Sequence, residues 1–134
     1  MSQLDGVHHL NFTVRDIRAS MVWYQELLGL EWTFEREDKE RGWLKAGLRD
    51  PASGMRINFT QHHSGSGDAF SEFRTGLDHI AIRVTGGRAG LESWLARLAE
   101  RGIEHSEIKS GDVGELITFR DPDNIQLELY APTD

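Results

Sequence analysis

The sequence predicts an α+β fold made of two similar modules, each a strand, a helix and three further strands. Three observations carry this. The chain repeats itself: "GVHHLNFTV" (6–14) returns as "GLDHIAIRV" (76–84), and "RDPASGMRINF" (49–59) returns as "RDPDNIQLELY" (120–130). His9 and His79 stand 70 positions apart (79 − 9), as do Asn58 and Glu128 (128 − 58). Apolar residues alternate in the quoted stretches, as in half-buried strands, and recur at helical spacing just after the first stretch of each copy. At 134 residues the chain suffices for one domain with a real core.

Taken in order, each module opens on a strand (7–14, then 77–84). A helix follows. In the first copy Asp16 is a suitable N-cap, Ile17, Met21, Tyr24 and Leu28 form the apolar stripe, and Gly29 ends it. In the second copy Leu91, Leu95 and Leu98 form the stripe, with Trp94 beside it, and Gly102 is the stop. Three strands complete each copy, near 30–34, 43–48 and 55–60, then 103–109, 114–120 and 125–130. The charge run "EREDKER" (35–41) reads as a solvated hairpin end. "HHSGSGDAF" (62–70) reads as a flexible connector and "TGGRAG" (85–90) as a turn. That turn lacks the glycine spacing of a phosphate-binding loop. The chain is expected to be a single domain of two modules, about 5–62 and 76–132, joined by a connector at 63–75.

Composition excludes several classes of function. The net charge is −7 and no basic stripe is present, so nucleic acid is not an expected partner. There is no cysteine, which removes disulfides, thiolate metal sites and cysteine nucleophiles. No apolar run reaches the ~20 residues of a membrane span, and the N-terminus lacks the pattern of a signal peptide. A cytoplasmic location and no membrane partner are the expectation.

Strand parity sorts the candidate site residues. Leu10, Phe12 and Val14 share one face of the first strand, and His9, Asn11 and Thr13 share the other. In the repeat, Ile80, Ile82 and Val84 oppose His79, Ala81 and Arg83. In the last strand, Ile125, Leu127 and Leu129 oppose Gln126, Glu128 and Tyr130. His9, His79 and Glu128 thus all fall on the face away from the helix. Two imidazoles and one carboxylate suffice to hold a divalent metal with open positions for water or substrate. A histidine alone on a strand face is more often structural; the joint placement at repeat-equivalent positions singles these out. His8 has the opposite parity and is expected to face away, with little effect when changed. His62 and His63 fall in the connector and His105 at a surface strand start. Trp32 and Trp43 suit either cavity walls or ordinary packing.

These residues resemble the vicinal oxygen chelate superfamily, which groups glyoxalase I, bleomycin-resistance proteins, fosfomycin-modifying transferases and extradiol dioxygenases. The resemblance spans about 5–132 and is most specific in "FRDPDNIQLELYAP". It implies tandem βαβββ modules forming a cupped, barrel-like mixed sheet with the helices outside. It places the metal ligands on His9, His79 and Glu128. Glyoxalase I usually adds a carboxylate at the position of Asn58, which here is neutral. Fosfomycin transferases carry a basic C-terminal segment, which "YAPTD" does not supply.

The resemblance implies a glyoxalase-like, metal-dependent lyase or isomerase acting on a small substrate with adjacent oxygens. One divalent ion per site (Fe, Mn, Ni, Co or Zn) would act as Lewis acid and stabilise an enolate. Glu128 would also shuttle a proton. Arg83, on the face of His79, suits either contact with a substrate anion or a surface ion pair, and Asn11, Thr13, Asn58, Gln126 and Tyr130 would line the pocket. Metal affinity should fall as the histidines protonate. The alternatives are a binding protein that sequesters a drug or metabolite without turnover, and an extradiol-type dioxygenase. A homodimer is expected, each site taking His9 from one chain and His79 with Glu128 from its partner.

Overall fold

Each half of the chain folds into four strands and one helix, in the same order and the same register. In the computed structural model, which describes residues 1–133, the first unit is Met1–Asp68 and the second Ala69–Asp134. The first contains β1 (Leu10–Thr13), α1 (Ile17–Leu28), β2 (Glu31–Asp38), β3 (Trp43–Arg49) and β4 (Arg56–His62). The second contains β5 (Ile80–Arg83), α2 (Gly87–Glu100), β6 (Lys109–Ser110), β7 (Gly114–Arg120) and β8 (Gln126–Pro132). The sheets run β1-β4-β3-β2 and β5-β8-β7-β6. In each, the first and last strands of the unit pair in parallel and the rest antiparallel. Leu10 pairs with Ile57 and Asn11 with Asn58; 70 residues on, Ile80 pairs with Leu127 and Ala81 with Glu128.

The core of the first unit lies between its helix and its sheet. The Asp16 side chain accepts from the Ala19 N–H at 3.1 Å and starts α1. Gly29 ends it in the left-handed conformation, where its N–H reaches the Gln25 carbonyl at 2.9 Å. The buried stripe is Ile17, Met21, Tyr24 and Leu27 rather than Leu28. Tyr24 is fully buried against Phe59, ring centroids 4.9 Å apart, with Phe12 beside both. In the second unit Leu91 and Leu98 of α2 cover a mainly aliphatic set, Ile117, Leu127 and Leu129, with Phe119 on the same face. Each such buried side chain contributes about 1.5–3 kcal/mol.

The repeated Arg-Asp-Pro is a turn that launches the last strand of each unit. The Asp50 carboxylate accepts from the Ala52 and Ser53 N–H groups and, at 2.6 Å, from the Ser53 hydroxyl. The Asp121 carboxylate accepts from the Asp123 and Ile125 N–H groups at 2.9 and 2.8 Å. The left-handed position of each turn is filled by Gly54 (φ 79°) and Asn124 (φ 69°), two residue types that tolerate it. The turn therefore sets where Asn58 and Glu128 enter their strands.

Several elements differ from the sequence expectation. Only residues 39–41 of the run 35–41 form the hairpin end: β2 continues through Asp38, paired with Trp43. The strand expected at 103–109 shrinks to the two-residue β6, plus a single bridge from His105 to Phe119. "TGGRAG" is not only a turn, because α2 begins at Gly87. Gly90 lies against the Thr85 carbonyl, where a side chain would collide. Part of the connector is tied down. Phe70 N–H reaches the Asp123 carbonyl at 2.8 Å, and Glu72 accepts twice from Arg120, at 2.8 and 3.1 Å.

Candidate functional site

The centre of the candidate site is a histidine–carboxylate pair in the second unit. Glu128 sits mid-strand in β8, flanked by Ala81 of β5 and Thr118 of β7. Its neighbours Leu127 and Leu129 are buried under α2, so the pleat turns Glu128 to the helix-free face. Its side chain is 12% exposed. His79 immediately precedes β5, and its Nε2 lies 3.3 Å from Glu128 Oε1. On the other side of the ring, Nδ1 lies 2.7 Å from Asp78 Oδ1. A carboxylate can only accept here, so Nδ1 carries a proton. Nε2 then meets Glu128 in one of two ways: with a second proton, as an imidazolium, or as a bare lone pair with a cation between them.

The donor set fits the cation. Two donors each about 2.1 Å from one ion, at angles of about 90–109°, lie about 3.0–3.4 Å apart. The His79–Glu128 spacing of 3.3 Å falls in that interval. An imidazole whose second nitrogen donates to a carboxylate is the usual form of a metal-binding histidine. Among the described residues no three His, Asp, Glu or Cys side chains converge into a group that could hold a metal.

His9 belongs to the first unit and is exposed. It precedes β1 as His79 precedes β5. Its Nδ1 lies 2.9 Å from Nδ1 of His8, so one ring donates and the other accepts. The expectation that His8 merely faces away is therefore corrected. Both residues lie before the paired part of β1, where no ladder enforces alternation. His8 stands to His9 as Asp78 stands to His79, at the same offset and against the same ring atom.

The other candidate residues fall on the helix-free faces of their own sheets. Asn11 and Thr13 are exposed on β1, and Asn11 Oδ1 accepts from Thr60 Oγ1 at 2.8 Å. Asn58, half-buried, pairs with Asn11 on one side and Gly47 on the other. Arg83 is exposed beside Tyr130 and makes no ion pair among the described residues. The Tyr130 hydroxyl accepts from Val113 N–H at 3.2 Å, and Gln126 Oε1 accepts from Arg120 at 3.0 Å.

Beside them, a depression of about 610 Å³ is lined by residues including Thr118, Arg120, Gln126, His105 and Lys109. The sequence reading missed Thr118 and Arg120. They face Glu128 and Gln126 across the ladder, a register the repeat hints at because Thr118 takes the place of Gly47 beside Asn58.

Paired βαβββ units with a His–Glu pair on a helix-free face define a protein of the vicinal oxygen chelate class. The chain belongs to the Glyoxalase/Bleomycin resistance protein/Dioxygenase superfamily, whose family model matches residues 6–129. Among solved structures it is similar to the glyoxylase/bleomycin resistance protein/dioxygenase domain from Frankia sp. EAN1pec, with 32% identity and a TM-score of 0.87 over 97% of this chain and 99% of that one. It is similar to a glyoxalase family protein from Enterococcus faecalis, with 26% identity and a TM-score of 0.79 over 94% and 97%. It shares its fold with a mutant of the fosfomycin resistance protein FosX from Listeria monocytogenes, complexed with Mn(II) and 1S,2S-dihydroxypropylphosphonic acid. That identity is 20% and the TM-score 0.71, over 98% and 95%. No curated protein matches the chain. Among the described residues no helix is long and apolar enough to cross a membrane.

Proposed function

We propose that the protein is a divalent-metal-dependent, glyoxalase-like enzyme that moves a proton on a small substrate with two adjacent oxygens, as a lyase or isomerase does. One observation carries this reading: His79 Nε2 and Glu128 Oε1 lie at donor spacing while Asp78 holds the far side of the ring. His79, Glu128 and His9 are the proposed ligands, with His9 from the first module of a second copy of the chain. A bound Fe, Mn, Ni, Co or Zn ion supplies Lewis-acid polarisation of the substrate oxygens. That a FosX structure of the same fold contains Mn(II) supports such an ion.

The chain's own residues do the rest. The Glu128 carboxylate, mostly removed from water, takes and returns the substrate proton. Arg83, which makes no ion pair among the described residues, receives a substrate anion. Asn11, Thr13, Asn58, Gln126 and Tyr130 line the substrate's approach with uncharged donors and acceptors. Because Asn58 is neutral, one carboxylate per site serves as both ligand and base. The active form in this reading is a homodimer whose sites draw on both chains. The 610 Å³ depression supports a second reading, binding of a drug or metabolite without turnover.

Elemental analysis of protein purified without a His tag tests the first reading. Wild type should hold about one metal per chain after growth with Mn, Fe, Ni and Zn. The His79→Ala and Glu128→Ala variants, folded by circular dichroism, should hold none. A metal-free wild type overturns it. A substrate panel of hemithioacetals and catechols then separates the readings: product formed by wild type and not by Glu128→Ala supports the enzyme, and saturable binding without product supports the binder.

A further inference from the structure

The charge run 35–41 supplies an inference that the metal reading does not use. Because β2 is extended through Asp38, the pleat sorts the run by face. Glu35 and Glu37 lie opposite Ala46 and Leu44, on the helix side of the sheet, and pair with Arg18 (2.8 Å) and His63 (3.3 Å). Arg36 lies opposite Lys45, on the helix-free side. Two residues along, Trp43 shares that face. Lys45 Nζ sits 4.4 Å and Arg36 Cζ 5.2 Å from its ring centroid, and Trp43 is only 9% exposed.

Neither Arg36 nor Lys45 has a hydrogen bond or ion pair among the described residues. The nearby acids are engaged elsewhere: Asp38 holds the Arg41 N–H at 2.8 Å and pairs with its guanidinium. Like charges directly opposite one another destabilise a sheet. The same face continues with Arg49 opposite Arg56 on β3 and β4; there Glu31 of β2 lies opposite Arg49 and Asp50 lies beside it, so that end has its own acids. A chain of net charge −7 thus gathers four cations on one face of one sheet. Two of them are held over a single indole ring and make no ion pair among the described residues; Asp38, opposite Trp43 on the same face, is turned to Arg41 instead. An anion from outside the chain would remove the repulsion and be met by charge-assisted bonds.

We propose that this face binds a small organic anion, with Arg36 and Lys45 over Trp43 gripping its carboxylate or phosphonate. The surroundings suit an organic body rather than a bare ion. The Phe34 ring, 39% exposed, lies over Gly47, where an added methyl would sit 2.5 Å from its Cε1. Asn58 flanks Gly47 on the other side, and Thr60 stands opposite Lys45. In naming the anion as part of the substrate, the proposal rests on the functional reading above; the site itself does not.

Nuclear magnetic resonance of chelator-treated protein tests it, with benzoate, phenylphosphonate and inorganic phosphate as probes at constant ionic strength. Benzoate or phenylphosphonate should shift the Trp43 indole N–H and the Lys45 amide saturably and more tightly than inorganic phosphate. Whichever of the two binds tighter identifies the acid group. Arg36→Gln with Lys45→Gln should weaken that binding at least about tenfold, and Lys45→Arg should keep it. Equal, weak shifts with all three probes mean an adventitious ion only and overturn the proposal. So does undiminished binding by the folded double variant. A change in the double variant's sedimentation with no loss of probe binding marks the cations as an interface between copies and also overturns it. The metal content of that variant should equal wild type, so failure of the metal reading and failure of this one are separately visible.

Discussion

His79 is informative because both its nitrogens are engaged. Asp78 accepts a hydrogen bond from Nδ1–H, which aims Nε2 at Glu128. Such partners behind a ligand histidine contribute about 10–100-fold to metal affinity. Asp78→Ala should therefore weaken metal binding by about that factor in a chelator competition, while Asp78→Asn, which keeps an acceptor oxygen, should recover part of it. The ring tautomer, read by nitrogen resonance on metal-free protein, should shift from Nδ1–H toward Nε2–H in Asp78→Ala. His8→Ala should weaken the metal in the same direction, since His8 holds the matching atom of His9. Wild-type affinity in both alanine variants would remove the positioning role.

At the scale of elements, the segment Phe70–Glu72 shows how one ion pair fastens a connector. The hydrogen bond from Arg120 holds the Glu72 carboxyl down to about 2, against an ordinary value of 4.5. A carboxyl depressed in the folded state contributes stability that is complete above its unfolded value. That stability drains away as pH falls through the folded one. Amide protection at 70–73, with exchange corrected for its intrinsic pH dependence, should fall between about pH 4.5 and 2, and Glu72→Gln should show low protection already at pH 6. A protection factor that stays constant from pH 6 to 2 would refute the attachment. The same segment shows what the sequence could reveal. Its Gly-Ser opening announced a connector, but Glu72 meets Arg120 from 48 residues away, which no local pattern records.

Parity worked where a ladder exists. Asn11, Thr13, Ala81 and Arg83 are all exposed while Phe12 and Val14 are buried, because the pleat alternates regardless of context. It failed at His8, two residues before pairing begins. Helical spacing located the α1 stripe but selected Leu28 over Leu27, a choice within the 3.6-residue period. The 103–109 strand was lost for a different reason: only Lys109 and Ser110 find partners on β7, beyond the lone bridge at His105.

For the whole molecule, the two units match in register and differ in chemistry. The first offers His9 and a neutral Asn58; the second offers His79 with Glu128. Neither unit alone carries two imidazoles and a carboxylate at these positions, so the proposed centre needs one unit of each kind. If the two come from different chains, complementary defects can be repaired by exchange of partners. His9→Ala and Glu128→Ala should each abolish metal binding as pure proteins. In a mixed dimer both defects fall in one site and the other site is wholly wild type. Unfolding and refolding an equimolar mixture should then restore about a quarter of the wild-type metal content, half the dimers being mixed with one good site in two. Sites confined within a chain would leave every chain defective and restore none. Sedimentation of the wild type as a monomer would exclude the shared site directly.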